Sequence, residues 1–268
     1  MWKFLSIFVV IVLLQSKPVV AGAEGNEDLK SKSVSASTSA GECFEGTSRA
    51  IFKFNLGLDR VLFEPVAKGY RMLPFPVRKG TGNVVSNLSS LLTIPNNILQ
   101  GNFDAAGDTF GRFLVNSTIG VLGIFDTAAA LGVEKRGKED FGQTFGVWGL
   151  DTGCYFVLPV LGPTTTRDFV GKVADTLLDP VYVVTVGDTE ILDRSYSEHN
   201  YYYYKGTDGI DFRAKNIESF DSLEENSVDL YASYKSLYLQ SRAKNISNAS
   251  SSIIPTQDDS DWEEIDNY

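Results

Sequence analysis

Between Gln100 and Asp126 the chain runs from an amphipathic helix straight into an apolar turn punctuated by glycine, and this places the strictest limit on its fold. Asn102 is a good N-cap, and Asp104 puts negative charge in the first turn, where the helix dipole favours it. Phe103, Ala106, Phe110, Phe113, Leu114 and Ser117 recur on one side at helical spacing, while Asp108 and Arg112, four apart on the other side, are spaced to pair. Gly120 and Gly123 then break the helix, yet Ile119, Val121, Leu122, Ile124 and Phe125 around them are all apolar. A surface turn is normally polar. This one must either be buried in protein or touch something that is not water.

The rest of the chain narrows the choice. With 268 residues, 43% hydrophobic and 22% charged, it has the material for a sizeable core. Lys3, the apolar run from Phe4 to Leu14 and the small-residue stretch Ala21-Gly22-Ala23 read as a signal peptide over residues 1–23, cleaved after Ala23. Cleavage would remove Lys3 and Lys17 and no acid, so the 24 basic residues fall to 22 against 34 acidic, a net charge of −12. That excludes the concentrated positive charge that nucleic acid demands, and any membrane contact must be hydrophobic rather than electrostatic. No later apolar run is long enough to cross a membrane as an ordinary helix. Cys43 and Cys154 either pair in an oxidising compartment or remain buried thiols; the spacing does not decide.

Taken in order, residues 24–46 read as a flexible tether and 246–268 as an acidic disordered tail, with the folded domain over 47–245. Ser48 is placed to cap a helix that is apolar around much of its girth, ending or kinking at Glu64-Pro65. Residues 76–92 predict a thinner amphipathic helix, and Ile94-Pro95 restarts a short one that ends at Gly101. Asp126 caps a short segment to Leu131. The glycine-, aromatic- and proline-rich residues 140–163 predict short irregular helices, and Val181–Val186 has the composition of a strand with no obvious partner. A helix capped by Thr164 to Thr166 and stopped at Asp179-Pro180 follows, and helical periods recur at 208–224 and 227–244. The class is all-α, one domain, with many short helices broken by Gly and Pro.

His199 is the one histidine, and no H-E-x-x-H, C-x-x-C, G-x-S-x-G, P-loop or dinucleotide fingerprint is present. No enzyme activity, no cofactor and no metal are expected.

Several segments resemble, in register, the MlaA (VacJ) family. Ser48–Asn55, Leu58-Asp59-Arg60-Val61 and Pro65–Arg71 resemble its opening. Leu99-Gln100-Gly101, Gly111–Gly120 and Phe125-Asp126 resemble its central signature. Asp140–Thr144, Gly146–Gly149, Leu158-Pro159, Gly162-Pro163 and Arg167-Asp168 continue the match across residues 44–245. The resemblance implies a ring of amphipathic helices in the periplasmic leaflet of the bacterial outer membrane, enclosing a polar channel. It implies removal of phospholipid that has strayed into the outer leaflet, hand-over to a periplasmic lipid carrier, and an outer-membrane porin trimer as partner. Arg112, Asn116, Ser117, Arg167 and Asp168 match polar family positions and are candidates to line the channel; Arg112 and Arg167 have equally good structural readings, as ties to nearby acids. Gly120 and Gly123 are candidate hinges of the apolar hairpin. Three positions depart from the family: no cysteine directly follows the signal segment, Thr47-Ser48 replace a Phe-Asn pair, and Gly153-Cys154-Tyr155 replaces Gly-Pro-Tyr. Without a lipid-modified cysteine, insertion rests on the apolar helix faces. The rival reading, from another class, is a soluble periplasmic porin-associated scaffold or lipid-binding module without transport activity.

Overall fold

The computed structural model describes residues 41–186 and 199–247. The expected signal peptide, most of the tether and nearly all of the acidic tail lie outside the described residues.

The first helix, α1 (Glu45–Leu58), passes through a π-helical turn (Asp59–Phe63) into α2 (Glu64–Arg71). The wide turn has a local cause. Pro65 has no N–H to offer, and the ladder shifts register just before it, with the Glu64 N–H reaching back five residues to the Asp59 carbonyl. The chain is therefore loosened at Glu64-Pro65 but not ended there. Ser48 is not the cap: it sits inside α1, buried, where its Oγ accepts the Val157 N–H at 3.3 Å.

A second proline is absorbed outright. Helix α3 (Phe75–Leu99) runs unbroken through Pro95, where the sequence predicts a restart. Just past it the Asn96 and Asn97 side chains donate to the Leu92 and Thr93 carbonyls of their own helix at 2.9 and 3.2 Å. Helix α4 (Phe103–Thr118) crosses α3 and is capped as expected, Asn102 accepting from the Ala105 N–H. The apolar turn and the short α5 (Thr127–Ala130, capped by Asp126) follow.

Residues 140–163 are helical only at first, in α6 (Phe141–Val147). Beyond it the expected short helices give way to a hairpin in an otherwise helical fold: β1 (Tyr155–Leu158) and β2 (Gly162–Thr165) pair antiparallel, with Tyr155 opposite Thr165. The strands are stabilised from outside the hairpin. Asn55 of α1 donates to the Leu158 carbonyl and accepts the Val160 N–H, both at 2.8 Å, and Glu42 bridges to Tyr155 in parallel. Only the tertiary neighbourhood makes a strand of Tyr-Phe-Val-Leu. Conversely, Val181–Val186 lies in helix α8 (Pro180–Val186), which follows α7 (Thr166–Leu178). Three more helices complete the described chain: α9 (His199–Lys215), α10 (Ile217–Asn226) and α11 (Leu230–Ile246).

Residues 41–46, expected as the end of the tether, are fastened to the fold. Cys43 is disulfide-bonded to Cys154, with Cα atoms 5.6 Å apart. The Glu42 carboxylate takes the Lys235 ammonium at 2.7 Å and the Tyr231 hydroxyl. Closing so long a loop, 111 residues, removes chain entropy from the unfolded state worth about 5 kcal/mol.

The packing is inverted relative to an ordinary soluble protein. One apolar cluster gathers Phe52, Tyr155, Val157 and Tyr231, and a small second one gathers Ala67, Ala214 and Ile217. Among the described residues, buried polar side chains outnumber buried apolar ones, and Asn96, Thr144, Thr164 and Thr165 are fully enclosed. Phe103, Phe110, Leu114, Met72 and Val61, by contrast, stand exposed. Helix α4 shows the inversion most clearly: Thr109, Arg112 and Asn116 face inward while Phe103 and Phe110 face outward.

Candidate functional site

The inward polar faces of α3 and α4 meet in a polar pocket. Helix α3 contributes Asn83, Ser86, Asn87 and Ser90, which recur at three- and four-residue spacing and so share one side of the helix. Helix α4 contributes Arg112 and Asn116. Asp126, at the start of α5, and Lys135, in the loop beyond, complete the lining.

At its centre is a charge pair held by its own network. Arg112 donates to the two Asp126 carboxylate oxygens at 2.7 and 2.5 Å and to the Val133 carbonyl at 2.6 Å. Asn116 donates to Asp126 at 3.0 Å and accepts the Ala128 N–H at 2.9 Å, and Asp126 caps α5 through the Ala129 N–H. Burial alone would push the Asp126 carboxyl up; the Asn116 hydrogen bond and the Arg112 charge outweigh it and hold Asp126 below the usual carboxylate range. The sequence spacing expected Arg112 to pair with Asp108. Instead Asp108 takes Arg136 at 2.7 Å, because Arg112 points to the interior and Asp108 does not.

The apolar turn abuts this pocket. Asn87 donates to Ser117 Oγ at 2.9 Å, and Asn83 donates to the Ile124 carbonyl at 3.0 Å. Within the turn, the Phe125 N–H bonds to the Gly120 carbonyl and the Gly123 N–H to the Asn116 carbonyl. Gly120 and Gly123 are close-approach points. A Cβ at Gly120 would strike the backbone oxygens of Phe125 and Asn116, and one at Gly123, whose φ is +91°, would lie 2.7 Å from the Asn87 Cβ. Their glycine identity therefore has a packing basis that the hinge expectation did not include. Between them Val121 and Leu122 both adopt left-handed backbone, at φ 53° and 57°. That is costly for a β-branched residue. The strained pair holds its side chains outward, with Leu122 75% exposed and Ile119, Val121 and Phe125 exposed beside it.

Of the expected channel residues, the structure thus brings together Arg112 and Asn116 in the pocket, with Ser117 on its edge. Arg167 and Asp168 belong elsewhere. They lie at the start of α7 in a buried ionic cluster, where Arg242 from α11 donates to Asp140 at 2.6 and 2.9 Å and to Asp168 at 2.9 and 3.1 Å. Arg167 and Tyr238 donate to the same Asp168, at 3.1 and 2.6 Å. Burial opposes ionisation of both carboxyls, but Arg242 keeps them below their ordinary range. Sequence reasoning missed the α3 wall and Lys135. Its signal was present as a polar stripe at helical period, overlooked beside the apolar positions Val84, Leu88 and Leu91.

No group of three or more metal-ligating side chains occurs among the described residues, and no described helix is long and apolar enough to cross a membrane.

The comparisons with known proteins agree with this geometry. The family model described as MlaA lipoprotein matches residues 41–245. The Haemophilus influenzae protein named intermembrane phospholipid transport system lipoprotein MlaA is 29% identical over 86% of this chain and 87% of its own length. Its Escherichia coli K12 namesake is 30% identical over 73% of this chain and 74% of its own. An uncharacterised protein of Rickettsia bellii is 32% identical over 76% of each chain. A solved structure described as the structural basis for maintenance of bacterial outer membrane lipid asymmetry superposes with a TM-score of 0.67 at 29% identity, over 77% of this chain and 99% of that one. The inward polar face, the outward apolar turn and the match over residues 41–245 agree, and the chain belongs to the MlaA lipoprotein family.

Proposed function

We propose that this protein removes mislocalised phospholipid from the outer leaflet of the bacterial outer membrane through a polar channel and passes it to a periplasmic carrier, maintaining lipid asymmetry beside a porin trimer. The observation that carries the proposal is the inverted packing. A chain that buries Asn96, Asn116 and Arg112 while exposing Phe103, Phe110 and Leu122 is built to meet hydrocarbon outside and polar groups inside. A phospholipid has the same two requirements. Its headgroup needs a polar route, which the α3–α4 pocket supplies, and its tails need an apolar surface, which the turn at Ile119–Phe125 supplies. The lipid moves intact, so no bond is broken and no nucleophile or cofactor is called for. The names of the Haemophilus influenzae and Escherichia coli relatives support the transport reading.

Anchoring is proposed to differ from that of a lipoprotein. The two cysteines of this chain are joined to each other, so neither sulfur is free to carry a lipid. The apolar faces would then hold the protein in the leaflet. On this reading an exported chain cleaved after Ala23 stays with the outer membrane in high salt and leaves only with detergent. Release by salt alone would favour the soluble porin-associated module. The decisive test is deletion of the gene followed by assay of outer-leaflet phospholipid. Accumulation is expected; unchanged asymmetry would sink the transport function.

A further inference from the structure

The pocket contains three charged side chains, and two of them cancel. Arg112 spends its guanidinium on Asp126 and the Val133 carbonyl. Lys135 is different. It is exposed, and it has no hydrogen-bond or ion-pair partner among the described residues. The acids beside it are already engaged: Arg136 holds Asp108 at 2.7 Å and Glu134 at 3.2 Å. The pocket thus carries one uncompensated positive charge, in a chain whose formal net charge is −10. The remaining lining offers neutral amides and hydroxyls, among them Asn83, Ser86 and Ser90. A free ammonium surrounded by neutral hydrogen-bonding groups is a recognition set for phosphate: the lysine supplies a mobile point charge with three donors, and amides and hydroxyls take up the other oxygens.

We propose that Lys135 binds the phosphate of the lipid headgroup and makes the pocket selective for phosphate-bearing lipids. This rests on the transport reading and names its substrate-recognising cation. Arg112 cannot take that role without leaving the half-buried Asp126 carboxylate without its cation. Lys135 can, because nothing has to be given up first. The placement suits a lipid: the same α3 wall that lines the pocket is hydrogen-bonded to the apolar turn through Asn83 and the Ile124 carbonyl. A headgroup held at Lys135 therefore has an apolar surface at hand for its tails.

The test uses the purified full chain and four probes: dihexanoyl phosphatidylglycerol, dihexanoyl phosphatidylcholine, phosphate-free dihexanoylglycerol and inorganic phosphate, each titrated by calorimetry. Loss of a charge-assisted contact should weaken binding of both phospholipids to K135Q about tenfold, with dihexanoylglycerol unchanged and K135R close to the parent protein. Circular dichroism of K135Q should match the parent, since the side chain is exposed. Equal binding of both phospholipids by K135Q and the parent protein would overturn the assignment while leaving the lipid reading intact. A parent protein that binds neither phospholipid would overturn both. Inorganic phosphate binding as tightly as the phospholipids would make this a simple anion site and overturn the headgroup assignment.

Discussion

Two arginines in this molecule each hold carboxylates withdrawn from solvent, and they are used in opposite ways. Arg112 and Asp126 keep 10% and 20% of their side-chain exposure and stand at a pocket. Arg242 and Asp168 keep 14% and 2%, and the second pair is closed over by Arg167, Tyr238 and Asp140. The closed cluster sits where three elements must be joined: the N-cap of α6, the first turn of α7 and the side of α11. At that crossing α6 and α7 come so close that a Cβ on Gly171 would strike the Gly142 backbone. The open pair ties a helix only to the short segment after the apolar turn. The same ionic chemistry is a fastening where every neighbour is protein, and a wall where one side is left open.

The largest effect should break the fastening. R242A leaves half-buried Asp140 without its cation and buried Asp168 with Arg167 alone, and should destabilise the protein by about 3 kcal/mol in urea denaturation. A loss below about 1 kcal/mol would remove the cluster's structural role. Next, D175N probes the same crossing by pH. Burial raises the Asp175 carboxyl to about 7, although it accepts the Phe141 N–H at 2.9 Å. A folded-state value above the unfolded one means the unfolded chain loses its proton first, so wild-type stability falls as pH rises from about 4 to 7 and then levels. Asparagine keeps the acceptor and escapes this cost. D175N should therefore be more stable than wild type by about 2 kcal/mol at pH 8 and nearly equal to it at pH 4, in paired thermal melts. An equal gain at both pH values would show that ionisation is not the cause.

On the open side the effects on stability should shrink while those on transport grow. V121G relieves a left-handed valine and should stabilise the chain by about 1 kcal/mol while weakening its partition onto phospholipid vesicles. Stronger vesicle binding would argue that the turn does not touch lipid. The smallest stability change is expected from S86L, which narrows the pocket from the α3 wall: within about 0.5 kcal/mol of wild type, yet with outer-leaflet phospholipid accumulating in cells. If S86L unfolds the protein, the pocket is packing rather than passage, and the contrast with Arg242 disappears.

Much of this was legible in residue spacing. The caps at Asn102, Asp126 and Thr165, the helices around them and the anomaly of the Ile119–Phe125 turn all follow from local rules. Other readings failed where a distant partner decided. Arg112 and Asp108 have ideal helical spacing, but Asp126 and Arg136 compete for them from outside the helix and win. Tyr155–Leu158 becomes a strand because Asn55, Ser48 and the segment around Cys43 take up its backbone groups from elements roughly a hundred residues away. Val181–Val186 has strand composition, but among the described residues no strand pairs with it, and it forms a helix after Asp179.

By itself the sequence determined that the chain is helical, that its helices are two-faced and that its central turn shuns water, because these depend on periods of a few residues. It also carried the family resemblance, in the order of its motifs. Which face turns inward was decided only by the tertiary structure. Periodicity is blind to that choice: the same stripe of Phe103, Phe110 and Leu114 serves a core or a bilayer equally well. The choice falls to partners outside the helix: Arg112 and Asn116 are satisfied by Asp126 and the Val133 and Ala128 backbone, and Asn87 of α3 donates to Ser117, so the polar side of α4 turns inward and leaves Phe103, Phe110 and Leu114 outside.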